Sequence, residues 1–126
     1  MTQDQNQQGK SLLEVKNLSV AYGKVEALSQ FNMRVNEGQI VSVVGPNGAG
    51  KTTLLSAIMG VLGSKGHVEF DGEVGQCPQI ERMVIRGLGL VPEKRELFSS
   101  MSIEDNLLLG AFQRHRHGDR SYKDTL

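Results

Sequence analysis

The chain of 126 residues has no tryptophan, one cysteine (Cys77), three prolines and two tyrosines, and its 14 Lys+Arg balance 14 Asp+Glu. Each shortage removes a class of protein. A lone cysteine excludes an intramolecular disulfide framework and fits a reducing compartment. Zero formal net charge leaves no electrostatic case for nucleic acid or an anionic lipid surface as the main partner. The longest strongly apolar stretches, residues 40–44 and 54–62, fall far short of the roughly 20 residues of a membrane span. Residues 1–10 are glutamine-rich and polar, without the apolar middle of a secretory signal, so residues 1–11 read as a polar tail of a cytoplasmic protein. What remains, 38% hydrophobic with 15 glycines, describes one globular domain or part of one.

The apolar pattern then sets the elements. Leu13 and Val15 share one face, the phase slips at Lys16-Asn17, and Leu18 and Val20 resume it before Tyr22-Gly23. Such a slip predicts a bulge within a strand. Phe31, Met33 and Val35 alternate with polar residues up to a turn at Asn36-Glu37-Gly38, which predicts a second strand antiparallel to the first. Ile40-Val41-Ser42-Val43-Val44 is apolar on both faces, as in the centre of a parallel sheet covered by helices. Leu54, Ile58, Val61 and Leu62 recur at helical spacing, giving a helix closed by Gly63. Further along, residues 67–71 read as a strand with a turn at Asp71-Gly72, residues 80–86 as a helix, and residues 88–92 as a strand ending at Pro92. Ser102 followed by Asp105 marks a helix start, with the helix fading near Gly110 and a polar tail from Arg114.

Between the both-sides-apolar run and the helix lies Gly45-Pro46-Asn47-Gly48-Ala49-Gly50-Lys51-Thr52, which satisfies G-x-x-x-x-G-K-[ST] at every fixed position. With this chain's own Gly, Lys and Ser+Thr frequencies, the four fixed positions coincide by chance on the order of 1% of the time. The chemistry explains the residue types. Glycines let backbone N–H groups form a concave nest for phosphate oxygens, and the following helix adds its positive end. Lys51 reaches the β and γ phosphates, the Thr52 hydroxyl suits Mg²⁺, and Thr53 suits the α phosphate.

These residues, with Tyr22-Gly23 about two dozen positions upstream and Val91-Pro92-Glu93 ending an apolar stretch, resemble the ATP-binding subunits of ABC transporters. Residues 90–98 followed by Met101-Ser102-Ile103-Glu104-Asp105-Asn106-Leu107 look most like the importers of branched-chain amino acids. The resemblance implies an α/β fold of the P-loop NTPase class, an ABC-type nucleotide-binding domain with an N-terminal antiparallel β-subdomain, of which residues 12–113 would be the N-terminal part. It implies ATP and Mg²⁺ as ligands, with Gly45, Pro46, Asn47, Gly48, Ala49, Gly50, Lys51, Thr52 and Thr53 around the phosphates and Tyr22 stacked on adenine. Glu93 falls where most of the family carries a glutamine that contacts Mg²⁺ and the attacking water, so Thr52 and Glu93 are the metal candidates. Residues 98–101 would face a cytoplasmic coupling helix of a transmembrane permease subunit. A second ATP-binding subunit would complete a head-to-tail dimer, and the assembly would lie on the inner face of the cell membrane.

Hydrolysis in that family needs a Ser-Gly-Gly signature loop, an apolar strand ending in Asp-Glu, and a switch histidine after it; the sequence contains no Ser-Gly-Gly, and its one adjacent acidic pair, Glu104-Asp105, sits at a helix start. His67, His115 and His117 do not fill the gap. The expectation is therefore ATP binding without turnover by this chain alone, with residues 114–126 a polar tail or the start of a helical subdomain. A regulatory or truncated module that competes for the membrane subunits is the alternative. A small P-loop kinase or GTPase is disfavoured, since no Asn-Lys-x-Asp guanine reader is present.

Overall fold

The structure, a computed structural model, describes residues 9–75, 79–94 and 96–116. Cys77, residues 1–8 of the expected polar tail and residues 117–126, with His117, lie outside them. The chain divides into two compact units, Met1–Met83 and Val84–Leu126.

The first unit is built on an antiparallel sheet in the order β2-β1-β3-β4, with β1 at Ser11–Tyr22, β2 at Val25–Asn36, β3 at Lys65–Phe70 and β4 at Glu73–Gly75. β1 and β2 form the antiparallel pair that the alternation predicts, placing Leu13 opposite Val35, Val15 opposite Met33 and Leu18 opposite Phe31. The slip at Lys16-Asn17 is a bulge. Asn17 takes a left-handed φ of 50°, its N–H donates to Asn32 Oδ1 at 2.9 Å, and the register shifts between Val15 and Leu18. The shift keeps Leu13, Val15, Leu18 and Val20 on one buried face, none more than 9% exposed. Opposite the bulge, Gly66 has φ +109°, and a Cβ there would sit 2.5 Å from the Asn17 oxygen. The bulge therefore requires glycine on the neighbouring strand.

One helix, α1 at Lys51–Ile58, covers the sheet with Leu54, Ala57 and Ile58, joined by Met59, Val68, Phe70 and Met83 in the same core. It is shorter than the periodicity predicts. Gly60, at φ +80°, ends it: its N–H donates to Ala57 O at 3.1 Å, and the Val61 N–H to Ser56 O at 2.9 Å, the paired bonds of a left-handed helix stop. Val61 consequently falls outside the helix and is exposed. On the sheet's polar side, Lys16 and Arg34 both bond the Glu14 carboxylate and hold it below the usual carboxylate range. The Asp71-Gly72 turn forms as expected between β3 and β4.

α2 at Ile80–Ile85 spans the division between the units. In the second unit α3 runs Ile103–Arg116, starting at Ser102, which accepts the Asp105 N–H at 3.1 Å. It passes through Gly110, because a single glycine weakens a helix by only about 1 kcal/mol and the next residue, Ala111, is buried. The expected fading near Gly110 is thus corrected, and the helix continues over residues 114–116.

Two predicted strands do not form. Residues 40–44 and 88–92 carry no regular structure, and Ile40 and Val44 are 94% and 93% exposed. A run apolar on both faces becomes a strand only when ladders flank it, and no described strand pairs with either segment. Exposed apolar backbone of this kind associates with itself. We expect the isolated chain to form concentration-dependent oligomers by sedimentation velocity, and the double substitution Ile40→Lys, Val44→Lys to shift it toward monomer without loss of the β1–β3 sheet signal in circular dichroism.

Candidate functional site

The segment 45–50 turns between residues 40–44 and α1. Ala49 donates its N–H to Pro46 O at 3.1 Å, and Gly48 and Gly50 both have φ +86°. Gly50 is the N-cap of α1 and offers no side-chain hydrogen bond to the first helical turn. The leading N–H groups of a helix have no partner four residues back, so without a capping side chain they face outward as anion-binding donors. The position demands glycine for a second reason: a Cβ would stand 2.7 Å from the backbone oxygen of Ala27 on β2. This close approach seats the phosphate-type loop against the sheet.

Lys51 bends back over the loop. Its Nζ donates to Gly45 O at 2.6 Å and Pro46 O at 2.7 Å, which holds the ammonium across the mouth of the nest. Thr52 is exposed on the first turn of α1, and Thr53, half-buried, meets Tyr22: the two hydroxyl oxygens lie 3.5 Å apart. Tyr22, the last residue of β1, is 52% exposed. The first unit therefore brings together the loop 45–50, Lys51, Thr52, Thr53 and Tyr22. Pro46, Asn47, Gly48 and Ala49 are exposed along the loop's outer side.

Glu93 belongs to the second unit and is exposed, as are Leu97 and Phe98. No cluster of three His, Cys, Asp or Glu side chains able to hold a metal occurs among the described residues. Within the first unit the donor set is a threonine hydroxyl beside an anion nest, which fits a hard cation that brings most of its oxygens from phosphate and water.

Three contacts were not legible beforehand. Nothing in the composition pairs Tyr22 with Thr53 or presses Ala27 O onto Gly50. Asn106, unremarkable as one polar residue near a helix start, makes four side-chain hydrogen bonds to the preceding loop.

An open nest at a helix start, beside an antiparallel subdomain with an aromatic at its edge, defines a nucleotide-binding cassette architecture. Solved structures agree: a nucleotide-free ATP-binding cassette from an ABC transporter superimposes with a TM-score of 0.73 at 26% identity, covering 92% of this chain and 45% of that one. A dimeric ATP-binding cassette bound to ADP and Pi gives 0.75 at 24% identity over 90% of this chain and 52% of that one, a likeness of fold. The family model described as ABC transporter matches residues 28–125, and the chain belongs to that family. Its relatives include the high-affinity branched-chain amino acid transport ATP-binding protein BraG of Pseudomonas aeruginosa, 34% identical over 102 residues, 80% of this chain and 44% of that protein. The xylose import ATP-binding protein XylG of Escherichia coli is also 34% identical over 102 residues, 79% of this chain and 20% of that protein. The chain thus spans less than half the length of these relatives. Among the described residues no helix is long and apolar enough to cross a membrane.

Gly50 tests whether loop and sheet depend on one contact. Gly50→Ala should lower the thermal midpoint by the equivalent of about 1–3 kcal/mol and abolish the stabilisation that ATP confers, through left-handed strain plus the clash with Ala27 O. Gly63→Ala, with nothing near the added Cβ and no positive φ, should leave both unchanged in the same differential scanning measurement.

Proposed function

We propose that this chain binds ATP with Mg²⁺ through residues 45–53 and Tyr22, as part of the energy-coupling subunit of an ABC importer. The observation that carries the reading is the meeting of the two halves of a nucleotide site in one unit, with Tyr22 and Thr53 in hydroxyl contact at the mouth of the loop. Backbone N–H groups of the loop and of α1's first turn orient the phosphates, and Lys51 exchanges its two carbonyl partners for β and γ oxygens. Thr52 would hold Mg²⁺, which when bound neutralises phosphate charge. Thr53 binds the α phosphate beside the Tyr22 ring, on which adenine stacks. Glu93 is proposed to serve as the carboxylate ligand or sensor at the position where a glutamine is usual. The segment 98–101 with the adjoining Leu97, where Leu97, Phe98 and Met101 are exposed, is proposed to receive a permease subunit, with a second ATP-binding subunit closing head to tail on the loop 45–52. On this reading residues 12–113 are the N-terminal part of a nucleotide-binding domain located at the inner face of the cell membrane.

Branched-chain amino acids are the proposed cargo, supported by the segment 90–107 and by the BraG relative; the XylG relative at equal identity makes xylose the competing assignment. Turnover is not expected of these 126 residues by themselves, because they contain no Ser-Gly-Gly loop to face the γ phosphate.

Calorimetric titration with ATP and Mg²⁺ is expected to show binding that Lys51→Ala weakens by about a hundredfold, the scale of a charge-assisted contact of roughly 3 kcal/mol. Tyr22→Ala should cost about tenfold through lost stacking, whereas Tyr22→Phe should stay close to the parent. ATP-independent behaviour of all three would reject the site. For the cargo, disruption of the gene in its source cell should reduce uptake of labelled leucine and leave xylose uptake intact; the reverse pattern reassigns the importer.

A further inference from the structure

The second unit presents large apolar side chains in water on a loop held in one shape. Leu97 is 70% exposed, Phe98 58%, and Ile103 at the start of α3 82%. Fixing backbone residues costs conformational entropy, and exposed apolar side chains return nothing for it within the chain. The loop is nevertheless specified: Glu96, immediately before Leu97, takes a left-handed φ of 43°, and Met101 donates its N–H to Phe98 O at 3.0 Å.

One side chain accounts for the rest of this order. The Asn106 carboxamide accepts the Phe98 N–H on Oδ1 at 3.0 Å, while its Nδ2 donates to Phe98 O at 3.1 Å, Ser102 O at 2.9 Å and, at the longer distance of 3.4 Å, Met101 O. Oxygen must face the amide hydrogen and nitrogen the carbonyls, so the orientation of the group is unambiguous. Aspartate would set negative charge against three carbonyl oxygens, leucine of the same size would bond none of them, and glutamine is one methylene too long. Asn106 is itself anchored by its backbone N–H to Ser102 O at 3.1 Å, within a helix start closed separately by Ser102 and Asp105.

We propose that Asn106 is the positioning residue of the docking surface: it fixes residues 98–102 so that Leu97, Phe98 and Met101 meet the permease already in their bound shape. The proposal rests on the reading of residues 97–101 as the permease contact. Rigidity formed in advance removes the ordering cost from association, so the residue acts on affinity for the partner without touching it.

The test uses the whole chain and membranes of its source cell stripped of peripheral proteins, with protein-free vesicles of the same lipids as control. The parent should cosediment with the stripped membranes and not with the vesicles. Leu97→Ser with Phe98→Ser tests the docking reading: if that pair leaves cosedimentation intact, the reading fails and the Asn106 proposal with it. Asn106→Leu should weaken cosedimentation about tenfold, speed hydrogen exchange of the Phe98 amide by a similar factor, and leave Ala111 exchange and ATP affinity unchanged. Asn106→Asp keeps the acceptor for the Phe98 amide but sets its second oxygen against the carbonyls, so Phe98 exchange and cosedimentation both change in the same direction as with leucine, and by less. Should Asn106→Leu speed Ala111 exchange as well, unfolding of α3 is responsible and the aspartate variant decides. Loss of binding in the serine pair but none in either Asn106 variant overturns the proposal while the docking surface stands.

Discussion

The approach of Gly50 to the Ala27 carbonyl is the contact on which the rest of the first unit turns. At 2.7 Å from a hypothetical Cβ, the backbone of the loop lies flat on β2, and this seats α1 over the sheet. The consequences run in both directions. Toward the core, it lets Leu54, Ala57 and Ile58 reach the face that Leu13, Val15, Leu18 and Val20 present. Toward solvent, it aims the first turn of α1 at the edge of β1, where Tyr22 meets Thr53. A loop standing an ångström further off would separate the aromatic from the nest.

The sheet reads clearly from the sequence because its information is local. Alternation in β1 and β2, the slip at Lys16-Asn17 and the turns at Asn36-Glu37-Gly38 and Asp71-Gly72 each depend on residues within a few positions. The loop motif is equally local, since glycine, lysine and threonine at fixed spacing are chosen by one ligand type. What misled was anything set by a partner. Residues 40–44 have the composition of a buried strand, yet a strand is defined by its neighbours, and composition states only that neighbours would be welcome. The end of α1 failed differently. Gly60 inside the apolar run Ile58-Met59-Gly60-Val61-Leu62 is overruled by periodicity when the run is counted, but its left-handed φ takes the chain out of the helix. Gly110 shows the converse, a glycine carried through a helix whose start is strongly capped and whose next residue is buried.

The site was legible in its residues and not in its geometry. Spacing alone supplies the list from Gly45 to Thr53, whereas the contact between Tyr22 and Thr53 depends on how a strand end and a helix start, 31 positions apart, are brought together. Asn106 is a sharper case. Its side chain looks interchangeable with any polar residue until the loop's carbonyls are seen to converge on it, and then only a carboxamide of that length satisfies both the N–H and the oxygens.

Lys51 adds an electrostatic argument about how the nest discriminates. Its ammonium already has two short carbonyl partners, so a ligand gains only the difference between those bonds and the ones it offers. A neutral hydroxyl or a single carbonyl cannot compete with two carbonyls at 2.6 and 2.7 Å. A β,γ-diphosphate edge can, because several anionic oxygens replace two dipoles and the helix N-terminus reinforces the same charge. The carbonyl clasp therefore raises the threshold for weakly charged ligands while leaving a triphosphate well above it. On the proposed ATP-binding reading, selectivity for a polyphosphate is in this way a property of what the lysine must give up, as much as of what the glycines allow.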